Sequence, residues 1–307
     1  MLDPNLRQAL HDLLGERVVF DEPLSRHTSF RIGGPADAWI EVDEPAQIGR
    51  VLELLRGIDV PRFVLGGGTN VLVSDRGVRG VVLHLSRAFA VAEWTEAVDH
   101  VAVRAGAAMP FKKLVTETIQ RGLAGLEFAE GIPGSVGGGL LMNAGAFGGE
   151  ISQVVDHVDG VDRDGCLQRL ERSGMKFSYR HFDLPAGFVV THVGFRLRPD
   201  DPAVVSGRRE ELRRRRQSRQ PLGYPNAGSV FKNPPGNFAG RLIESVGLKG
   251  RRIGNAQISP EHANFIINLG GACATDVRAL MDEAVRAVEA ASGPRLEPEI
   301  KLIGDWS

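Results

Sequence analysis

Cysteine is nearly absent from the 307 residues: Cys166 and Cys273 stand far apart and form no CxxC pair. That argues against a disulfide framework and against a thiolate zinc site, and no metal is implied. Charge of one sign is lacking too, with 37 Lys and Arg against 38 Asp and Glu for a net charge of −1. A nucleic-acid binder working by bulk electrostatics would carry a positive excess. The longest apolar runs are far too short to span a bilayer. The N-terminus carries Asp3, Arg7 and Asp12 and lacks the apolar core of a signal peptide. Repeats and low-complexity tracts are missing. What remains is 42% hydrophobic and 24% charged residues, which predicts a globular cytoplasmic protein of two or three domains with an ample core.

Glycine is what the sequence has in quantity, and it is concentrated. Residues 131–150 read Gly-Ile-Pro-Gly-Ser-Val-Gly-Gly-Gly-Leu-Leu-Met-Asn-Ala-Gly-Ala-Phe-Gly-Gly-Glu, eight glycines in twenty positions. An interior glycine costs roughly 0.5–1 kcal/mol relative to alanine, so neither ordinary helix nor strand is expected there. Backbone must come close to something, or turn where a Cβ would clash. The polar side chains are few: Ser135, Asn143 and Glu150. A site built from main-chain N–H groups suits a phosphate or a flat, polar-edged ring. A glycine-rich turn in a packed domain is the plainer alternative. A second such loop, Gly66-Gly-Gly-Thr-Asn70, follows a short apolar strand at 62–65. It has neither the Gly-Lys-Ser/Thr ending of a P-loop nor the Gly-x-Gly-x-x-Gly of a dinucleotide fingerprint. Two loops together suit a dinucleotide, which has two ends and a pyrophosphate between them.

The rest of the chain reads as mixed helix and strand. Helices are expected at 3–14, 44–56, 110–121 and 239–246, with a last long one capped by Thr275. Strands are expected at 38–42, 81–85, 101–104, 154–161, 165–169, 188–197, 265–269 and 296–303, with a hairpin turn at 162–165. A domain boundary is expected at 198–202. Beyond it, residues 208–219 are strongly basic, and no aromatics interleave as nucleic-acid binding would require. The run is a solvated helix face or a surface for a phosphate ligand. The loop at 220–236 holds Asn226, Ser229, Lys232 and Asn233 around an apolar Val230-Phe231, so it is expected to pack inward and present its polar groups to a cleft.

Six motifs then stand in one order: Gly66-Gly-Gly-Thr-Asn-Val-Leu72, Gly131-Ile-Pro-Gly-Ser-Val-Gly-Gly138, Asn143-Ala-Gly-Ala146, Tyr179-Arg180, Asn226-Ala-Gly-Ser-Val-Phe-Lys232 and Leu296-Glu-Pro-Glu299. In this order the sequence resembles the UDP-N-acetylenolpyruvoylglucosamine reductases, or UDP-N-acetylmuramate dehydrogenases, across about residues 24–303. The resemblance implies an α+β protein with noncovalent FAD in a fold of the vanillyl-alcohol oxidase (PCMH) type. It implies two FAD subdomains at 1–85 and 86–200, a third α+β domain for substrate at 205–293, and a last strand, 294–307, returning to the site. FAD contacts carry over to Gly66, Gly67, Gly68, Thr69, Asn70 and Val71. They carry over also to Gly131, Pro133, Gly134, Ser135, Gly137, Gly138, Asn143, Ala144, Gly145 and Ala146.

By the same resemblance NADPH supplies the hydride, which passes through flavin N5 to UDP-N-acetylglucosamine enolpyruvate, an intermediate of peptidoglycan synthesis. Neither nucleic acid nor membrane is implied as a partner, and oligomeric state is left open. Arg180 is implied to grip the substrate carboxylate, a task suited to a planar guanidinium that stays charged. Ser229 is implied to protonate the adjacent carbon, with Lys232 nearby. Glu299 is preferred to Glu297 as the third catalytic residue, because the family's glutamate directly follows the proline. It would act through a raised pKa or a bridging water. Tyr179, Asn233 and His262 are substrate-side candidates. The chain lacks an inserted tyrosine-bearing loop, which marks the shorter, second family type and leaves the diphosphate to Lys232 and to an arginine of 213–219, Arg213 first. Two rivals stay open: another oxidoreductase of the same flavoprotein class, and a flavin- or nucleotide-binding protein without catalysis.

Overall fold

The structure is a computed structural model that describes residues 2–217, 223–291 and 293–307. Helix starts follow their caps. The Asp3 carboxylate accepts the Asn5 N–H at 2.8 Å, and α1 (Pro4–Leu14) buries Leu6, Leu10 and Leu14. Pro45 opens α2 (Pro45–Leu54), which turns Ile48, Val51 and Leu52 inward. α3 (Phe111–Gln120) buries Phe111, Leu114, Val115, Thr118 and Ile119, the positions its apolar period predicts.

The glycine-rich stretch departs from the expectation of no regular structure. Its residues Val136–Leu141 form a short helix, α4, whose cap Ser135 accepts the Gly138 N–H at 3.3 Å. Gly137 and Gly139 lie on its buried side, where Ala107, Phe111 and Ile151 leave no comfortable room for a Cβ. Close packing outweighs the poor helix propensity of glycine here. After α4 the chain makes a tight hairpin, Gly145–Ala146 against Gly149–Glu150, turning at Phe147 and Gly148.

The chain divides into two compact units. The first holds Met1–Val19, Ala38–Gly67 and Val81–Arg216; the second holds Phe20–Asp37, Gly68–Gly80 and Gln217–Ser307. The expected boundaries at 85 and 200–205 are corrected accordingly. α5 (Pro202–Gln217) ends the first unit instead of opening a third domain, and the early segments 20–37 and 68–80 go with the C-terminal residues. The cause is burial: Phe30, Ile32 and Leu72 sit in one apolar core with Val230, Phe231, Ile266 and Leu280.

The first unit is built on an antiparallel sheet ordered Leu167–Glu171, Val155–Val161, Val189–Pro199, Val101–Gly106 and Ala92–Glu96, with Leu123–Ala124 also paired to Val189–Pro199. The expected hairpin turn at 162–165 is present, with the Asp162 carboxylate accepting the N–H groups of Asp164 and Cys166 at 2.9 Å each. A polar ladder crosses these strands. Arg104 donates to Asp159 at 2.8 Å and bonds His192 at 2.9 Å, and Arg169 donates to the same Asp159 at 2.7 and 3.1 Å.

The second unit has an antiparallel sheet ordered Asn226–Ser229, Phe265–Asn268, Ala256–Ile258 and Arg252–Ile253, together with α6 (Ala239–Ser245) and α7 (Ala274–Ala290). The closing strand is shorter than expected, Lys301–Ile303, and pairs in parallel with Val71–Val73. Thr275 is not the cap of α7. Cys273 holds that position, and Asp75 supplies the acceptor, taking the N–H groups of Ala274 and Thr275 at 2.7 and 2.9 Å and the Thr275 hydroxyl at 2.8 Å. Among the described residues no helix is long and apolar enough to cross a membrane.

Candidate functional site

In the first unit the two glycine loops meet main chain to main chain. Arg62–Val64 pairs in parallel with residues 81–83, and the chain turns at Gly66 and Gly67 as it leaves that strand. A Cβ on Gly66 would stand 2.5 Å from the Ser135 hydroxyl, and one on Gly67 would stand 2.8 Å from Gly134 Cα. These glycines are therefore demanded by the approach of the two loops. Among the described residues the N–H groups of Gly66, Gly67 and Gly134 make no hydrogen bond, although Gly66 and Gly67 are exposed. Adjacent main-chain donors without acceptors form a nest suited to a phosphate.

The later part of the stretch positions an arginine. Phe177–Ser178 and His181–Phe182 form a hairpin, with Tyr179 and Arg180 as its two-residue turn. Arg180 takes φ +59, a left-handed conformation that costs a non-glycine residue roughly 1–2 kcal/mol. Its Nη1 donates to the Gly145 carbonyl at 2.8 Å, and its guanidinium carbon lies 5.1 Å from the Tyr179 ring centre. The paired strand residues Phe177 and Phe182 stack their rings 4.5 Å apart across the hairpin.

A second arginine lies beside it. Arg216, in the last turn of α5, lays its side chain over Gly131, where a Cβ would come within 2.8 Å of the arginine Cδ. Burial pulls its pKa below the ordinary arginine value; Glu130 opposes this and the like charge of Arg180 adds to it. Among the described residues the Arg216 side chain makes no ion pair or hydrogen bond. Two guanidinium groups near one patch of glycine backbone form a site for an anion.

In the second unit Ser229 ends the strand Asn226–Ser229, opposite Phe265. The pairing slips between Asn226 and Ser229, at a bulge where Gly228 has φ +76 and gives its N–H to the Asn226 side chain at 2.9 Å. Such a bulge re-aims the next side chain. The Ser229 hydroxyl is half-buried and makes no hydrogen bond among the described residues. Glu299 lies alongside: its N–H donates at 2.8 Å to the carbonyl of Val230, the residue after Ser229. Asn70 holds Glu299 from the other side, giving its amide N–H to the Glu299 carbonyl at 3.2 Å and accepting the Lys301 N–H at 2.9 Å. Glu297, the rival carboxylate, is exposed and faces Lys232 at 3.5 Å.

Comparison with known proteins gives these features a common origin. The profile of the UDP-N-acetylenolpyruvoylglucosamine reductase C-terminal domain matches residues 220–303, and that of an FAD-binding domain matches residues 36–171. The sequence is 50% identical over 94% of this chain to UDP-N-acetylenolpyruvoylglucosamine reductase 2 of Symbiobacterium thermophilum, covering 92% of that protein. It is 44% identical over 98% of this chain to the reductase of Heliobacterium modesticaldum, covering 95% of it. The crystal structure of the reductase from Thermus caldophilus superposes with a TM-score of 0.79 at 36% identity, covering 93% of this chain and 97% of that one.

This chain belongs to the UDP-N-acetylenolpyruvoylglucosamine reductase family.

Membership makes it an FAD-dependent oxidoreductase of α+β class with the FAD-binding fold of the vanillyl-alcohol oxidase type. The glycine loops fit that cofactor: they carry the free main-chain donors a pyrophosphate needs. The residues expected to contact FAD are divided by the fold. Gly66 and Gly67 belong with Gly131, Pro133, Gly134, Ser135, Gly137, Gly138, Ala144, Gly145 and Ala146 in the first unit. Gly68, Thr69, Asn70 and Val71 belong to the second, where Gly68 accepts the Ser29 N–H at 3.0 Å and Val71 pairs with Lys301.

Several expected site residues have other employment. Arg213 is bound to Glu210 through two hydrogen bonds of 2.8 and 2.9 Å on the exposed helix surface. Arg216 lies seven residues beyond Arg209, which pairs with the buried Glu130 at 2.8 Å. That spacing puts 209 and 216 on one helix face, a signal available in the sequence. Residues 218–219 of the basic run lie outside the described residues. Asn233 accepts the Ala239 N–H at 3.0 Å and so caps α6. His262 accepts the Asn264 N–H at 3.1 Å, lies edge-on to Phe265 and crowds Gly240. Burial holds its pKa below 6.5, as expected of a neutral structural imidazole. Asn143 uses both ends of its side-chain amide within the protein.

Proposed function

We propose that the chain carries out the NADPH-dependent, FAD-mediated reduction of UDP-N-acetylglucosamine enolpyruvate to UDP-N-acetylmuramate, in the cytoplasm, as a step of peptidoglycan precursor synthesis. The observation that carries this reading is Arg180, held in an unfavourable backbone conformation by the same glycine stretch that borders the cofactor loops. Strain of that kind is retained where a side chain must be aimed.

The chemistry FAD supplies when bound is the passage of a hydride from a nicotinamide to the enolpyruvyl double bond. Each protein group has a separate task. Arg180 receives the enolpyruvyl carboxylate in its fork and offsets the negative charge that develops there as the double bond is reduced. Ser229 gives its hydroxyl proton to the carbon next to that carboxylate. A serine is a weak acid, so this donation requires a strongly basic acceptor. Glu299, whose main chain is held by Val230 and Asn70, supports the developing charge through a raised pKa or a bridging water. Arg216 takes over the part first given to Arg213 and binds the substrate diphosphate, with Lys232 in support. Tyr179 packs on the substrate beside Arg180. This assignment suits the shorter family type, in which no inserted tyrosine covers the diphosphate.

Purified protein should be yellow and should oxidise NADPH only when UDP-N-acetylglucosamine enolpyruvate is present. Hydrogen peroxide formed from oxygen with indifference to NADPH would assign the chain to an oxidase of the same fold. A protein that does not take up FAD would refute the reading altogether.

A further inference from the structure

Asn143 lies just beyond α4 at φ +40, a conformation that asparagine tolerates better than most residues. Its side chain is buried, with 1% of the residue exposed, so its amide must be satisfied inside the protein. The carbonyl end accepts the Ser152 N–H at 3.0 Å, and the amino end donates to the Ser178 carbonyl at 3.2 Å. The two partners fix which way the amide points, because a flip would set acceptor against acceptor and donor against donor. Ser178 is the last strand residue before the Tyr179-Arg180 turn. Two residues after Asn143, the Gly145 carbonyl holds the Arg180 guanidinium at 2.8 Å. The glycine stretch thus grips the hairpin at its main chain and at its key side chain. Arg172 adds a tie of its own, donating to the Ser152 carbonyl at 3.2 Å.

We propose that Asn143 is a positioning residue for Arg180, acting through the Ser178 carbonyl to hold the left-handed turn that aims the guanidinium. The inference rests on the reading of Arg180 as the carboxylate-binding group. It gives Asn143 a task in the step that uses substrate and none in the binding of FAD.

Asn143→Asp keeps the tolerance for positive φ and the acceptor for Ser152, but faces the Ser178 carbonyl with a second acceptor. Asn143→Gly keeps the backbone and removes both bonds. Both holoenzymes should purify with FAD content like wild type and should be reduced by NADPH within about twofold of its rate. Reoxidation by UDP-N-acetylglucosamine enolpyruvate should slow by about 10²-fold, the scale of a misplaced reacting group. In an Arg180→Met background the further Asn143→Asp change should add less than about twofold, since its partner is already gone. Calorimetry on the oxidised holoenzyme should show weaker substrate binding for both single variants.

Unchanged reoxidation in both variants overturns the proposal. Loss of FAD in both overturns it as well, because Asn143 would then serve the cofactor. An undiminished effect in the Arg180→Met background overturns it by showing action independent of Arg180. Wild-type enzyme that is not reoxidised by this substrate overturns the proposed function itself, and that outcome is seen before any variant is made.

Discussion

Ser229→Ala tests the proposed proton donor with little else disturbed. The Ser229 hydroxyl makes no hydrogen bond among the described residues, so its removal leaves no buried partner unsatisfied. Its backbone is set by neighbours: Gly228 bonds the Asn226 side chain at 2.9 Å, and Val230 donates to Asn264 at 2.8 Å. Alanine fits there, and stability should change by less than about 0.5 kcal/mol. A positioned general acid contributes about 10²- to 10⁴-fold, or roughly 2.7–5.4 kcal/mol at 1.36 kcal/mol per decade. The assay is stopped-flow absorbance of the flavin. Reduction by NADPH should proceed at nearly the wild-type rate, and reoxidation by the enolpyruvyl substrate should slow by that factor. Equal slowing of both half-reactions would show that Ser229 serves binding or folding, and undiminished reoxidation would show that the proton comes from elsewhere.

Arg216→Gln should raise KM for the sugar nucleotide by roughly 10- to 100-fold, the loss of a charged hydrogen bond, with reduction by NADPH unchanged; steady-state kinetics would show the reverse split if Arg216 served the donor instead. Asp75→Ala removes the three bonds that cap α7 and should cost about 1–2 kcal/mol, seen as a thermal midpoint lower by a few degrees. His192 is held below 6.5, by burial first and then by the charge of Arg104. The unfolded chain therefore binds the extra proton more readily, so stability is full above about pH 6.5 and falls as the pH drops through the lowered value. His192→Gln should reduce the pH dependence of urea unfolding just below that point, while the share of His262 and the acid loss from lowered carboxylates such as Asp159 persist.

Much of the site can be read in the sequence because its chemistry is carried by short contiguous motifs. Gly66-Gly67, the 131–150 stretch, Tyr179-Arg180 and the Asn226–Ser229 strand each bring their backbone conformation and side chains in one piece. Amphipathic helices such as α1 and α3 are equally local, since one apolar face every 3.6 residues suffices to place them. The sequence is silent where a residue's partner is distant. Asn233 and His262 are polar residues beside a motif, and only the fold shows that a helix end and a neighbouring main chain already claim them. Arg213 and Arg216 look alike in a basic run until their surroundings are known.

Composition and motif order by themselves determined the family and its FAD-binding class, and singled out the glycine loops, Arg180, Ser229 and Glu299 as candidates, because those depend on residue type and local spacing. Tertiary structure alone decided which partners those residues acquire. It put residues 20–37 and 68–80 with the C-terminal core, since buried apolar surface is indifferent to sequence distance. It let glycine form a helix in the 131–150 stretch, since close packing can offset weak propensity. It also tied the Asn143 side chain to Ser178 at the edge of the Arg180 hairpin, because a buried amide must spend its hydrogen bonds on whatever main chain folding brings within reach.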